Sequence, residues 1–316
     1  MKIPFERTIV GAYRFAFTNI LSIIGIGWLP FLLLGLVAVA LVYSLLPLLT
    51  ALSNLDPNRI DAAEVMRLVA PMVGAILILV VVAVFAKAMV IVGVIRKALG
   101  QHPAPVFVFF SLGAQVWRMI GAYLLLVLLV WGVGLAFGFG IAGISFLLSK
   151  ISAALQGLVT TLLICGAAIW GIYAVVRVQY FLPAVVVAEN HIGIRRSWHL
   201  GRGNFWRIVG IVILMTLPAT IVLSTINSVI FQLVHLPQLM WTPDRANPHI
   251  PLDEMHRYSS ALFATLRNVW PYLVVTELLY VTVLTGLQAG AVANAYNLVT
   301  VAGDTAPPTD ASKAAA

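Results

Sequence analysis

Charge is what this chain has least of. Only 9% of its 316 residues are Asp, Glu, Lys or Arg, against about 25% in soluble domains. That scarcity excludes a disordered chain and a coiled coil, both of which need polar positions in quantity. There is one cysteine, Cys165, so neither an intrachain disulfide framework nor a cysteine-based zinc site is possible. Acids are eleven in all, and no two share a spacing suited to general acid–base chemistry. A P-loop, an HExxH helix and a nucleophile elbow are missing too. What fills the chain instead is apolar: 61% hydrophobic residues and a mean hydropathy of +1.02. Water cannot solvate that much apolar surface, and one globular core cannot hide it.

A membrane-crossing helix needs about 20 mostly apolar residues. Six stretches satisfy this, at 20–49, 70–95, 120–148, 151–176, 208–234 and 270–301. They lack the strict alternation of a lipid-facing barrel strand, so the expectation is an all-α protein with six transmembrane helices. The third and fourth are separated only at Ser149–Lys150. The first follows Lys2, Arg7 and Arg14 but runs about 30 residues, too long for the 7–15-residue core of a cleavable signal, and is expected to remain as a helix. The sequence predicts one membrane domain over 1–302 and a disordered tail over 303–316, small, polar and proline-containing.

Six crossings place both termini and two connections on one side. That side carries twelve cations: Lys2, Arg7, Arg14, Arg96, Lys97, Arg118, Arg177, Arg195, Arg196, Arg202, Arg207 and Lys313. The other carries six, Arg59, Arg67, Lys150, Arg245, Arg257 and Arg267. The excess predicts cytoplasmic termini. It also accounts for the net charge of +8 without a nucleic-acid partner, since no basic soluble domain exists to hold one.

An internal repeat is visible. At an offset of 89, Trp117/Trp206, Arg118/Arg207, Gly121/Gly210 and Leu125/Leu214 coincide, with Gln115 opposite Asn204. At an offset of 185, Asn19/Asn204, Ile23/Ile208, Gly25/Gly210 and Ile26/Ile211 coincide. Each segment precedes an odd-numbered span and sets Asn or Gln six residues before a Gly. The reading is three tandem helical hairpins, each introduced by an interfacial segment, with Asn capping the first turn and Gly allowing close helix contact.

The segment 191–207 (HIGIRRSWHLGRGNFWR) carries the strongest functional signal. On one helix, Ile194, Trp198, Gly201 and Phe205 make an apolar stripe flanked by Arg195, Arg196, His199 and Arg202. Such a helix lies in the membrane interface with its cations toward headgroups. Arg195, Arg196, Trp198, Arg202 and Arg207 are therefore the candidate contacts for anionic lipids or a partner protein; the competing reading is a topology anchor that happens to be basic. The run 189–210 resembles the membrane domain found on some bacterial glycerophosphoryl diester phosphodiesterases, and that domain's stand-alone six-helix relatives of unknown function. The resemblance is closest over about 35 residues around Arg195–Trp206 and extends loosely over the six-span layout. It implies a bacterial inner-membrane location. The phosphodiesterase chemistry of those proteins belongs to a separate soluble barrel, so no catalytic residue carries over.

Lys87 and Glu277 lie within spans, where ionisable groups mark transport paths or reach for the interface. Gly286, Gly290 and Asn294 recur every four residues in the last span, which suits close helix packing or the lining of a polar cavity. Gly138–Gly143 spells GxGxxG but lies deep in an apolar run with no preceding strand, so Gly134 and Gly138 point to helix packing rather than a dinucleotide site. In the outer connection 235–268, Asp253 and His256 share a helical face without a third metal ligand; 252–266 suggests a surface helix. Asp56 and Pro57 mark another helix start in 52–69. The resulting expectation is a protein without catalytic site, metal or cofactor, engaging anionic lipids or a membrane-protein partner through its basic interfacial helices. The alternative is a small secondary transporter using Lys87, Glu277 or Asn294.

Overall fold

The computed structural model describes residues 2–53, 62–101, 109–233 and 278–300, with single positions at 272, 275 and 276. Expectations that fall on Asp56, Pro57, the connection 235–268, Glu277 and the tail 303–316 lie outside the described residues. Everything described is helix or short connection. Among the described residues, six helices are long and apolar enough to cross a membrane, and the protein is an all-α membrane protein.

In chain order, α1 (Phe5–Thr18) and α2 (Ile20–Ser53) are followed by α3 (Ala62–Ala98), α4 (Ala114–Ser149) and α5 (Ala153–Gln179). Two one-turn-to-two-turn helices come next, α6 (Leu182–Ala188) and α7 (Ile194–Leu200), then α8 (Phe205–Leu233). A last helix, α9 (Leu278–Thr300), completes the set. Several helices outrun the lipid: α4, with 36 residues, is about 54 Å long at 1.5 Å per residue, against a core of about 30 Å. Helix starts precede the apolar runs for this reason. α4 begins at Ala114 and α8 at Phe205, where the apolar runs begin at 120 and 208. The turn between α4 and α5 falls where expected, just past Ser149.

The helices are not packed evenly along their lengths. The buried side chains cluster at the end of the bundle where α1 begins and α9 finishes: Ile3, Ala12 and Ile23, then Val92, Val94 and Ile95, Val116, Met119, Ala122 and Leu126, Phe181 to Val187, Ile208, Ile211 and Met215, and Ala289, Ala293, Ala295 and Val299. The opposite halves of α4 and α5 are almost wholly exposed. Association in a membrane gains no hydrophobic drive from lipid and depends on close van der Waals contact, so the tight end is where the fold is held.

α6 is the centre of that tight end. Leu182 to Val187 are all buried, and they join both halves of the core, Val186 and Val187 on one side, Ala184 and Val185 on the other. A helix apolar on every face belongs in a core. This element was not foreseen. The apolar run from 151 continues to 188, and Arg177 looked like its end; in the structure α5 runs on through Arg177, and α6 follows as a separate element.

α1 lies across α9. Thr8, Ala12 and Ala16 are buried at four-residue intervals, and they meet the small stripe of α9. A Cβ on Gly290 would fall 2.9 Å from Phe15 and 3.1 Å from the Ala12 backbone, one on Gly286 2.8 Å from Ile23, and one on Gly11 2.4 Å from the Asn294 amide. Gly286, Gly290 and Asn294 therefore serve packing, and what they pack is the interfacial helix.

The internal repeat reappears as a repeated docking contact. Gln115 donates from Nε2 to the Val187 carbonyl (3.4 Å), Arg118 donates from Nη1 to Asn190 Oδ1, and Gly121 leaves 3.4 Å for Ile192. At the matching positions, Asn204 Oδ1 accepts from the Ile3 amide (3.0 Å), Arg207 Nη1 donates to the Ile3 carbonyl (2.7 Å), and Gly210 leaves 3.0 Å for Phe5. Thus α4 receives the segment that introduces the third hairpin, and α8 receives the segment that introduces the first. In the first hairpin, Asn19 turns its amide nitrogen back to the Phe15 carbonyl (3.1 Å) and the Thr18 hydroxyl (3.0 Å), closing α1 rather than serving the first turn of α2. α3 ends in a Schellman motif: Gly100 at φ +74° lets its amide reach Lys97 and that of Gln101 reach Arg96.

Candidate functional site at the basic end of the bundle

The segment 191–207 is not one helix. α7 stops at Leu200, a turn through Gly201–Asn204 intervenes with Gly203 at φ +73°, and α8 starts afresh at Phe205. The expected stripe of Ile194, Trp198, Gly201 and Phe205 is therefore broken between Leu200 and Phe205. The physical reason is Arg177. This residue is 6% exposed, with Nε donating to the Trp198 carbonyl and Nη1 to the Tyr173 hydroxyl, both at 3.0 Å. Its guanidinium lies 4.0 Å from the centre of the Trp198 ring and 5.7 Å from that of Tyr173. A buried guanidinium needs its donors bonded and its charge compensated; here a carbonyl and a hydroxyl take two of its N–H groups and two aromatic rings face its charge, with no carboxylate partner among the described residues. Trp198 is accordingly half-buried over a cation instead of standing in lipid. Gly201 is required beneath it, because a Cβ there would come within 2.5 Å of the Arg177 carbonyl oxygen.

The remaining candidate residues divide by what they touch. Arg196 donates from Nε to Glu189 Oε1 at 3.2 Å, and the same oxygen accepts from the Tyr296 hydroxyl at 3.0 Å. His191 Nε2 lies 3.7 Å from Glu189 Oε2. Arg196 is thus matched locally, and Arg207 is committed to the Ile3 carbonyl. Arg195 and Arg202 are exposed and have no carboxylate partner among the described residues. Beside them Trp206 is 81% exposed, and its repeat counterpart Trp117 is 55% exposed. Lys2, Arg7 and Arg14 are also exposed at this end. Among the described residues, the end carrying the termini holds eleven cations (Lys2, Arg7, Arg14, Arg96, Lys97, Arg118, Arg177, Arg195, Arg196, Arg202, Arg207) against two acids, Glu6 and Glu189. Among the described residues, the opposite end shows the cations Arg67 and Lys150.

The two described intramembrane candidates, Lys87 and Asn294, have separate surroundings. Lys87 is exposed on the outer surface of α3 between buried Ala86 and Ala88. Asn294 fills the notch at Gly11. Neither lines the cavity bounded by α3, α4, α8 and α9. Gly134 and Gly138 correct another expectation: a Cβ on either would meet open space, and both border a gap between α4 and α5 instead of closing it. Among the described residues, no three His, Cys, Asp or Glu side chains are grouped to hold a metal.

Arg177 is the residue that sequence reasoning missed. It was counted as one more flanking cation. The available signal was length: 38 residues from 151 to 188 without a strong break is nearly twice what one crossing needs, so a cation in its middle had to be accommodated inside the fold. Comparison of the chain with models of known protein families, with curated proteins and with solved structures gave no match.

Proposed function

We propose that this chain is a non-enzymatic component of the bacterial inner membrane, with cytoplasmic termini, whose basic end engages anionic lipid headgroups. The observation that carries the reading is the pairing of exposed, acid-free Arg195 and Arg202 with the exposed ring of Trp206. An indole at headgroup level and guanidiniums free to meet phosphates are what an interfacial lipid contact requires. Each cation near an anionic surface contributes about 1 kcal/mol, so the two together favour anionic over neutral lipid by about thirtyfold. Arg196, Trp198 and Arg207 support the site by holding its shape: their side chains are spent on Glu189, Arg177 and Ile3. The likeness of 189–210 to the membrane domain of certain phosphodiesterases belongs to this proposal as a family assignment, and it brings no catalysis with it.

Native mass spectrometry of protein released from mild detergent tests the reading. Wild type is expected to retain phosphatidylglycerol or cardiolipin, and Arg195→Gln/Arg202→Gln to lose it, while Arg196→Gln keeps it. Equal lipid on wild type and double variant would leave the basic end as a topology anchor. Co-release of a protein, lost in the same double variant, would move the reading from lipid to partner.

A further inference from the structure

The terminal end contains a cavity of about 290 Å³ between α3, α4, the α5–α6 junction, α8 and α9. Its polar groups are Tyr123, Gln179, Tyr180, Thr216, Thr285 and Gln288, and everything else in its wall is apolar. Among the described residues, no charged side chain lines it. Tyr180 is 8% exposed, and its hydroxyl is buried without a hydrogen-bond partner. A buried hydroxyl is costly unless it is bonded, and natural cores seldom leave one alone without a role. Gln179, Val212 and Gln288 are exposed at the cavity's edge. Val212 lies two turns inside α8, so the mouth opens from the membrane side of the bundle.

We infer that this cavity binds the head of a neutral lipid, one whose polar part is hydroxyl and ester carbonyl with no phosphate or ammonium, of the diacylglycerol type. The chemistry of the wall selects it. Carboxamides and hydroxyls donate to and accept from alcohols and esters, while a phosphate brought here would meet no cation and would be desolvated unpaired. The volume equals that of about ten water molecules at about 30 Å³ each, enough for a glycerol head and its first ester, with the chains leaving past Val212 into the bilayer. The site is separate from Arg195 and Arg202, which are absent from its wall.

The test compares two lipids that differ by one phosphate. Purified full-length protein is exposed to dioleoylglycerol and to dioleoyl phosphatidic acid, and bound lipid is counted by native mass spectrometry. One dioleoylglycerol per chain is expected, with occupancy falling about tenfold in Tyr180→Phe, the loss of one buried hydrogen bond, and falling likewise in Gln288→Leu. Thermal melting controls for folding: Tyr180→Phe removes an unpartnered hydroxyl and is expected to melt no lower than wild type without lipid. Arg195→Gln/Arg202→Gln is expected to bind dioleoylglycerol normally, which separates failure here from failure of the anionic-lipid reading. No bound dioleoylglycerol, meaning a cavity that holds only water, would overturn the inference. So would binding indifferent to Tyr180→Phe, or phosphatidic acid that is equally sensitive to it.

Discussion

Replacing Asn204 with Ala should release the N-terminal segment from the bundle. Asn204 is 1% exposed, Ile3 is fully buried, and the Asn204 Oδ1 accepts the Ile3 amide at 3.0 Å. Without the acceptor, that amide stays buried and unbonded, at a cost of about 1–3 kcal/mol. The Asn204 Nδ2 contacts to the Leu200 and Arg202 carbonyls are 3.5 and 3.4 Å long, too stretched to add much. At 1.4 kcal/mol per decade, opening of the segment becomes easier by about 5- to 140-fold, with about 30-fold as the central figure. Amide hydrogen exchange in detergent micelles reads this directly on a peptide covering residues 2–8. Asn204→Asp retains the accepting oxygen and should stay within a few-fold of wild type. If Asn204→Ala changes exchange by less than about threefold, or if Asn204→Asp unprotects the peptide equally, the proposed tether is wrong.

Three further outcomes follow from the same geometry. Arg118→Met and Arg207→Met should act alike on different segments, speeding amide exchange over 187–193 in the first case and over 2–8 in the second; a single shared effect would deny the repeated docking. Gly290→Leu should part α1 from α9, since even a Cβ would lie 3.1 Å from the Ala12 backbone, and lower stability by about 1–3 kcal/mol in a melting or denaturant titration. Arg177→Lys keeps the charge but cannot stack on Trp198 while donating to both the Trp198 carbonyl and the Tyr173 hydroxyl; about 3 kcal/mol should be lost in the same titration, and an unchanged midpoint would show the aromatic cage to be incidental.

The spans and the hairpin order were legible because lipid imposes a length and a composition that hydropathy alone reveals. The repeat was legible too, and its meaning was not. Gln115/Asn204, Arg118/Arg207 and Gly121/Gly210 read as capping and helix contact; in the structure they receive a neighbouring hairpin's leading segment, a long-range pairing that no local spacing encodes. α6 was hidden because Leu182–Ala188 is as apolar as any span, and apolarity cannot tell lipid from a protein interior. The stripe through Trp198 failed for a related reason. Helical spacing aligned Trp198 with Phe205, but the left-handed Gly203 and the demands of buried Arg177 set a turn between them.

The most direct test of the basic-end account is photo-crosslinking in a bilayer. Protein reconstituted with headgroup-proximal photoactivatable phosphatidylglycerol is irradiated, digested and mapped, with the phosphatidylcholine analogue in parallel. Adducts concentrated on 194–207 with phosphatidylglycerol, sparse with phosphatidylcholine, and reduced by Arg195→Gln/Arg202→Gln are the predicted result. Adducts spread equally over both ends of the bundle, or equal for the two lipids, would contradict it.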